Sequence, residues 1–223
     1  MATRDTLQKH PPKSRRSEVI ATELGYLWSN LLQRGARDTH RTIGLCAIGD
    51  EEGSNTLAAN LALFLGSKGE RIALVEASLR SQTLAAVFHA TPTPGLADLL
   101  SGKAVLRDVL RPQVATGVDL VPAGQSADPY WGFTDDKFRA VLNQLLVERD
   151  LCLVDVPALN RAPEASLVVR ALDAVVLVVE MNRHRADVVQ RNLHHLRSLG
   201  TPVLGSVVNE LVHEVPLLVQ KLL

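Results

Sequence analysis

Aromatic residues are scarce in this 223-residue chain: two tryptophans, two tyrosines and four phenylalanines. Since 46% of the residues are nonetheless hydrophobic, any core must be aliphatic and alanine-rich. That excludes a disordered or fibrous chain and suits a buried parallel sheet flanked by helices. Net charge is lacking too, because 24 Lys and Arg balance 24 Asp and Glu. Nothing global points to nucleic acid, and no nucleic-acid partner is expected. The one local excess is N-terminal, where Lys9, Lys13, Arg15 and Arg16 stand among prolines. Residues 1–17 read as a disordered basic tail, with a weak membrane-surface or partner contact as the rival reading. Cysteine is limited to Cys46 and Cys152, each in an apolar strand-like run and neither in metal-ligand spacing. They read as buried, reduced thiols of a cytosolic protein. The opening residues do not have the pattern of a signal peptide. Runs such as Ala174–Val179 are far shorter than the ~20 apolar residues needed to span a bilayer. The expectation is a soluble chain whose membrane association is borrowed from a partner.

What is present is regular alternation. A helix with apolar residues at helical spacing is expected over Glu18–Leu32, with Ser17 as its cap and a polar link to Arg41. Strand-like runs then follow at Thr42–Ile48, Arg71–Glu76, Val118–Pro122, Leu151–Val156, Ala174–Val179 and Val203–Val208. Helical stretches lie between them near Asn55–Ser67, Ala104–Leu110, Asp135–Glu148, Pro163–Ala171 and Arg185–Leu199. Strands apolar on both faces and separated by helices imply an α/β fold with a doubly wound, mostly parallel sheet. Residues 18–41 form the N-terminal helix and link, and 42–223 one α/β domain, with no internal repeat. Ligands bind such sheets at the carboxyl ends of the strands. The loops after Ile48, Glu76, Asp155 and Val208 are therefore where chemistry belongs.

The first of these loops reads Gly49-Asp50-Glu51-Glu52-Gly53-Ser54-Asn55-Thr56 and runs into a helix. Strand, short loop and helix N-terminus is the arrangement that cradles phosphate on backbone N–H groups. A working P-loop has Gly-Lys-Ser/Thr at the turn. Here Gly53 is kept, Ser54 holds the lysine's place, and Asn55 that of the magnesium-ligating hydroxyl. Thr56 can still touch phosphate. A carboxylate ~5 Å from a phosphate charge costs about 3 kcal/mol at an effective dielectric of 20, and loss of the lysine removes a similar attraction. Three readings follow: a degenerate loop without turnover, nucleotide binding without hydrolysis, and an active enzyme borrowing a lysine from elsewhere.

Four segments from Thr42 to Asn209 carry a resemblance. The helix Ala58-Ala59-Asn60-Leu61-Ala62 follows the loop, whose Glu52 also matches. Glu76-Ala77-Ser78-Leu79-Arg80 stands where an Asp-x-Asp-Leu-Arg strand end is usual. Gly95-Leu96-Ala97-Asp98-Leu99-Leu100-Ser101-Gly102 leads to Val118–Gly124 and Asp128-Pro129. Leu151–Pro157 carries Asp155 at a strand end, and Val207-Val208-Asn209 closes the set. The chain thereby resembles the bacterial tyrosine kinases of capsule and exopolysaccharide systems, within the partition-ATPase-like class of P-loop proteins.

The resemblance implies a P-loop NTPase fold, a degenerate nucleotide site at Gly53, Ser54, Asn55, Thr56 and Asn209, and metal contacts at Asp155 and Glu76. As plain alternatives, Asp155 caps the following turn and Asn209 satisfies a loop carbonyl. The family's tyrosine cluster is missing, and the only tyrosines are Tyr26 and Tyr130. The helix Glu18–Leu32 resembles the family's oligomerisation segment, so a homo-oligomer is among the expectations, although Gly25 and Trp28 replace arginines. The function implied is non-catalytic: regulating or scaffolding exopolysaccharide export through a membrane polysaccharide co-polymerase (a chain-length protein) or an active kinase paralogue. No cofactor is expected; ATP and magnesium belong to the rival reading of an active ATPase or autokinase. A partition- or cellulose-accessory protein is the third reading. The location implied is cytoplasmic, reaching the inner membrane only through a partner. His184, His194 and His195 read as ordinary surface or partly buried histidines. Trp131 and Phe133 read either as local packing or as an interface.

Overall fold

The computed structural model describes residues 13–49, 53–80, 82–126, 128–133, 136–180 and 183–209. The expected tail up to residue 12, the loop acids Asp50, Glu51 and Glu52, and the C-terminal stretch from residue 210 lie outside the described residues.

The chain opens with helix α1 (Lys13–Gln33). It begins ahead of Ser17, so Ser17 is a helical residue and not the cap, and Lys13 to Arg16 are helical too. None of Lys13 to Arg16 is a helix breaker, whereas the neighbouring prolines Pro11 and Pro12 are tolerated only at a helix start. Strand β1 (Thr42–Ala47) leads into α2 (Ser54–Ser67), and β2 (Ile72–Glu76) into the short α3 (Thr83–Val87) and α4 (Leu96–Leu100). Next come α5 (Leu106–Val109), β3 (Arg111–Ala115) and β4 (Val118–Val121). The remainder is α6 (Pro129–Gly132), α7 (Lys137–Leu145), β5 (Leu151–Val156), α8 (Ala165–Arg170), β6 (Ala174–Glu180), α9 (Ala186–Ser198) and β7 (Val203–Asn209).

The seven strands form one sheet in the order β3-β4-β2-β5-β1-β6-β7. Every pairing is parallel except the antiparallel pair of β3 with β4. Strand β3 is absent from the sequence expectation, because Arg111-Pro112-Gln113 has no apolar run. Pro112 cannot donate to a ladder, which confines such a segment to a sheet edge, and β3 is an edge strand.

Alternation along the strands divides the core in two. Ile43, Leu45, Leu74, Leu153 and Val176 pack on one face against Leu24 and Leu31 of α1, Leu61 and Leu65 of α2 and Leu84 of α3. Cys46, Val75, Val154 and Leu177 pack on the other against Phe138 of α7, Val168 of α8 and Leu196 of α9. The sheet is therefore covered on both sides, and its inner strands are buried along most of their length. One consequence positions the site. Glu76 and Asp155 share strand parity with Leu74 and Leu153, so both carboxylates leave the sheet on the α2 side.

Candidate functional site at the carboxyl edge of the sheet

Gly53 precedes α2 in the left-handed region, at φ 79 and ψ 21. A side chain would be strained there, which accounts for the glycine. The turn points the first N–H groups of a 14-residue helix toward the carboxyl edge of β1. Such a terminus carries orphan donors and the positive end of the helix dipole.

Neighbouring side chains occupy part of that terminus. Asn55 Oδ1 accepts from the Thr56 backbone N–H at 2.7 Å, taking a donor an anion would otherwise use. Ser54 Oγ donates to Asp155 Oδ1 at 3.0 Å. Asp155, the penultimate residue of β5, stands beside Glu76 at the end of β2, as register partners on adjacent strands. Asp155 is 5% exposed and Glu76 fully buried. Burial, then the charge of Glu76, pushes the Asp155 carboxyl up to about 7, against the pull of the Ser54 hydrogen bond. Burial also raises Glu76, and backbone N–H donors led by Leu84 and Ala123 pull it back.

Glu76 has a definite structural role. Its Oε1 accepts from Leu84 N–H at 2.7 Å, in the first turn of α3, and its Oε2 from Ala123 N–H at 3.1 Å, after β4. Each oxygen is thus committed to backbone, and the carboxylate fastens two loops to the sheet. Among the described residues, no three His, Cys, Asp or Glu side chains cluster to hold a metal.

The sheet brings Ser54, Glu76 and Asp155 together, with Gly53, Asn55 and Thr56 in the same turn. Asn209 lies apart at the end of β7, in register with Glu180 and two strands from β1. A second acidic position escaped sequence reading. Glu164, at the start of α8, is fully buried and accepts from Arg80 Nε at 3.1 Å, while its Oε2 has no hydrogen-bond partner. The only hint in sequence was an acid after Pro163 at a helix start, a common solvent-exposed pattern.

The other singled-out residues fall into place simply. Cys46 and Cys152 are free and buried. Burial pushes the Cys152 thiol up to about 12 and raises Cys46 further, so neither supplies a thiolate. Phe133 is buried and meets Phe138 edge-on, with centroids 5.2 Å apart, so it packs locally. The Trp131 side chain lies outside the described residues. His195 Nε2 pairs with Ser166 Oγ at 3.1 Å on the outer surface. No helix among the described residues is long and apolar enough to cross a membrane.

No protein-family model matches the chain. By sequence it is 23% identical over 201 residues to the putative tyrosine-protein kinase CapB of Staphylococcus aureus, across 90% of this chain and 86% of CapB. It is 25% identical to the succinoglycan biosynthesis transport protein ExoP of Rhizobium meliloti, across 76% of this chain but only 22% of ExoP. By structure it superimposes on the kinase domain of the Escherichia coli tyrosine kinase ETK with a TM-score of 0.80, covering 86% of this chain and 75% of that one at 21% identity. The Pyrococcus furiosus cell division ATPase MinD gives 0.65, over 76% and 72% at 24% identity. The chain is accordingly an α/β domain similar in sequence to proteins named as bacterial tyrosine-protein kinases, with the fold seen in the ETK kinase domain and in MinD.

Proposed function

We propose that this chain acts by binding rather than by phosphoryl transfer, as a tyrosine-kinase-like regulator or scaffold in bacterial polysaccharide synthesis and export. The observation that carries the reading is the Ser54–Asp155 hydrogen bond, formed where a P-loop would hold its lysine. A triphosphate with magnesium carries concentrated negative charge. The described site answers it with a hydroxyl, an asparagine folded onto the helix N-terminus, and two buried carboxylates. Glu76 is tied to backbone and Asp155 to the Ser54 hydroxyl, so the donor set fits a magnesium–triphosphate poorly. Each missing unit of compensation at ~5 Å is worth about 3 kcal/mol at an effective dielectric of 20, or about two powers of ten in affinity.

The likeness to ExoP, a succinoglycan biosynthesis transport protein, supports the polysaccharide setting. The partner in this reading is a membrane polysaccharide co-polymerase or an active kinase paralogue, met at the cytoplasmic membrane face. The deciding measurement is calorimetric titration with ATP and magnesium, paired with phosphate-release and phosphotyrosine assays. We expect no micromolar binding, no release, and no phosphate on Tyr26 or Tyr130. Turnover at saturating nucleotide would establish an atypical enzyme instead.

A further inference from the structure

A polar cavity of about 570 Å³ opens beside this site, lined by Leu79, Arg80, Gln82, Gly124, Gln125 and Ser126. Its walls come from two loops, one leaving β2 and one leaving β4. Buried Glu76 holds both, through Leu84 N–H on one side and Ala123 N–H on the other. Gln82 Nε2 bridges them again by donating to the Gly124 carbonyl at 3.3 Å. The cavity is therefore braced before anything enters it.

Arg80 is the cation among the described lining residues. Its side chain is 61% exposed, yet its Nε edge is fixed by Glu164, whose side chain is 1% exposed. A buried carboxylate with one unpartnered oxygen is costly to keep. The hydrogen bond described for that side chain goes to Arg80, so its effect is to set the plane of the guanidinium. A guanidinium offers five N–H donors and no acceptor, in a fork that matches carboxylate and phosphate oxygens. Gln82, Gln125 and Ser126 place further donor-capable groups on the walls. Of the nearby carboxylates, Glu164 gives one oxygen to Arg80 and Asp98 accepts from the Gly95 N–H at 2.8 Å.

We propose that this cavity is an oxyanion-binding site, in which Arg80, oriented by Glu164, grips a carboxylate or phosphate group. A single phosphate fills only a small part of such a volume, whereas pockets of this size accommodate several side chains or a small ligand. The volume therefore favours an oxyanion carried on an acidic peptide segment, and free phosphate is the rival source that the test separates from it. The site is independent of nucleotide turnover, so its test omits nucleotide, and its failure leaves the reading above untouched.

The test uses the full chain titrated with hexaglutamate peptide and, separately, with inorganic phosphate, followed by calorimetry and amide chemical shifts. Saturable binding of at least one probe is expected, weakened at least tenfold by Arg80→Ala, whose thermal midpoint also falls because buried Glu164 loses its partner, and weakened by Gln125→Ala at an unchanged midpoint, all titrations being run well below the variants' midpoints. Tighter binding of the peptide assigns the oxyanion to a polypeptide; tighter binding of phosphate assigns it to a free anion. Phosphate has a second place to go, the α2 N-terminus. Binding that survives Arg80→Ala and Gln125→Ala undiminished, or no saturable binding of either probe, overturns the proposal.

Discussion

Ser54 and Asp155, 101 positions apart in sequence, meet across a 3.0 Å hydrogen bond at the carboxyl edge of the sheet. The hydroxyl donates and the carboxylate accepts, so a neutral side chain satisfies an acid that has little other company. Burial already disfavours charge on Asp155, and Glu76 next to it disfavours charge further.

Replacing Ser54 with lysine restores an ammonium beside that acid. At ~5 Å and an effective dielectric of 20, the attraction is about 3 kcal/mol. Ser54→Lys is expected to pull the Asp155 carboxyl below its present value near 7 and to tighten ATP binding by roughly 100-fold. Calorimetric titration of parent and variant checks this. Equal affinities would show that lost charge is not what weakens the loop.

The same acid sets a pH dependence whose sign is fixed. Its folded value, about 7, lies above the ordinary 3.8, so the folded chain holds a proton that the unfolded chain has released between those values. Asp155 therefore contributes most stability in acid, below about 4, and loses it as pH rises through 7. The slope is about 1.4 kcal/mol per pH unit at most. Asp155→Asn should flatten the curve and raise stability at pH 8. A residual slope of the same sign remains from Glu76, which is also raised. Urea denaturation from pH 4 to 8 measures both.

Glu76→Ala orphans the N–H groups of Leu84 and Ala123 and leaves a void. Each buried unsatisfied donor costs about 1–3 kcal/mol, giving a loss of roughly 3 kcal/mol and a thermal midpoint about 6–12 °C lower for a chain of this size. Circular dichroism on heating reads it directly. An unchanged midpoint would mean that the two loops are held by other contacts.

Gly95→Ala tests a backbone crossing. A Cβ at Gly95 would stand 2.2 Å from the Gly124 nitrogen and 2.5 Å from the Pro122 carbonyl oxygen. Backbone cannot swing aside as a side-chain end can, so a loss of at least ~2 kcal/mol is expected. The same melting experiment checks it. The damage should extend to the cavity that Gly124 lines.

Much of this was legible from pattern. Leu151–Val156 forms a strand as expected, and the expected bounds of Ala174–Val179 and Val203–Val208 fall one residue short. Buried parallel strands print continuous aliphatic runs, which need no tertiary information to recognise. The edge strand Arg111–Ala115 has no such run, because solvent and Pro112 relax the requirement. The short helices Thr83–Val87 and Leu96–Leu100 are too brief for helical periodicity to emerge. At the site, the expected strand ends put Glu76 and Asp155 at the carboxyl edge of the sheet, where they are register partners. What sequence did not reveal was the use of each group. That Glu76 serves backbone donors and that Glu164 steers Arg80 are facts of tertiary packing between distant segments.

Because β5 lies between β1 and β2, the turn at Ser54 and the acid at Asp155 become neighbours only after the centre of the sheet has zipped together. No hairpin or fragment can rehearse that meeting, since it closes a loop of about a hundred residues, and such distant closures belong to slow, late assembly. The hydrogen bond is therefore a reporter of the assembled sheet centre, since it exists only while β1 and β2 both hold register with β5.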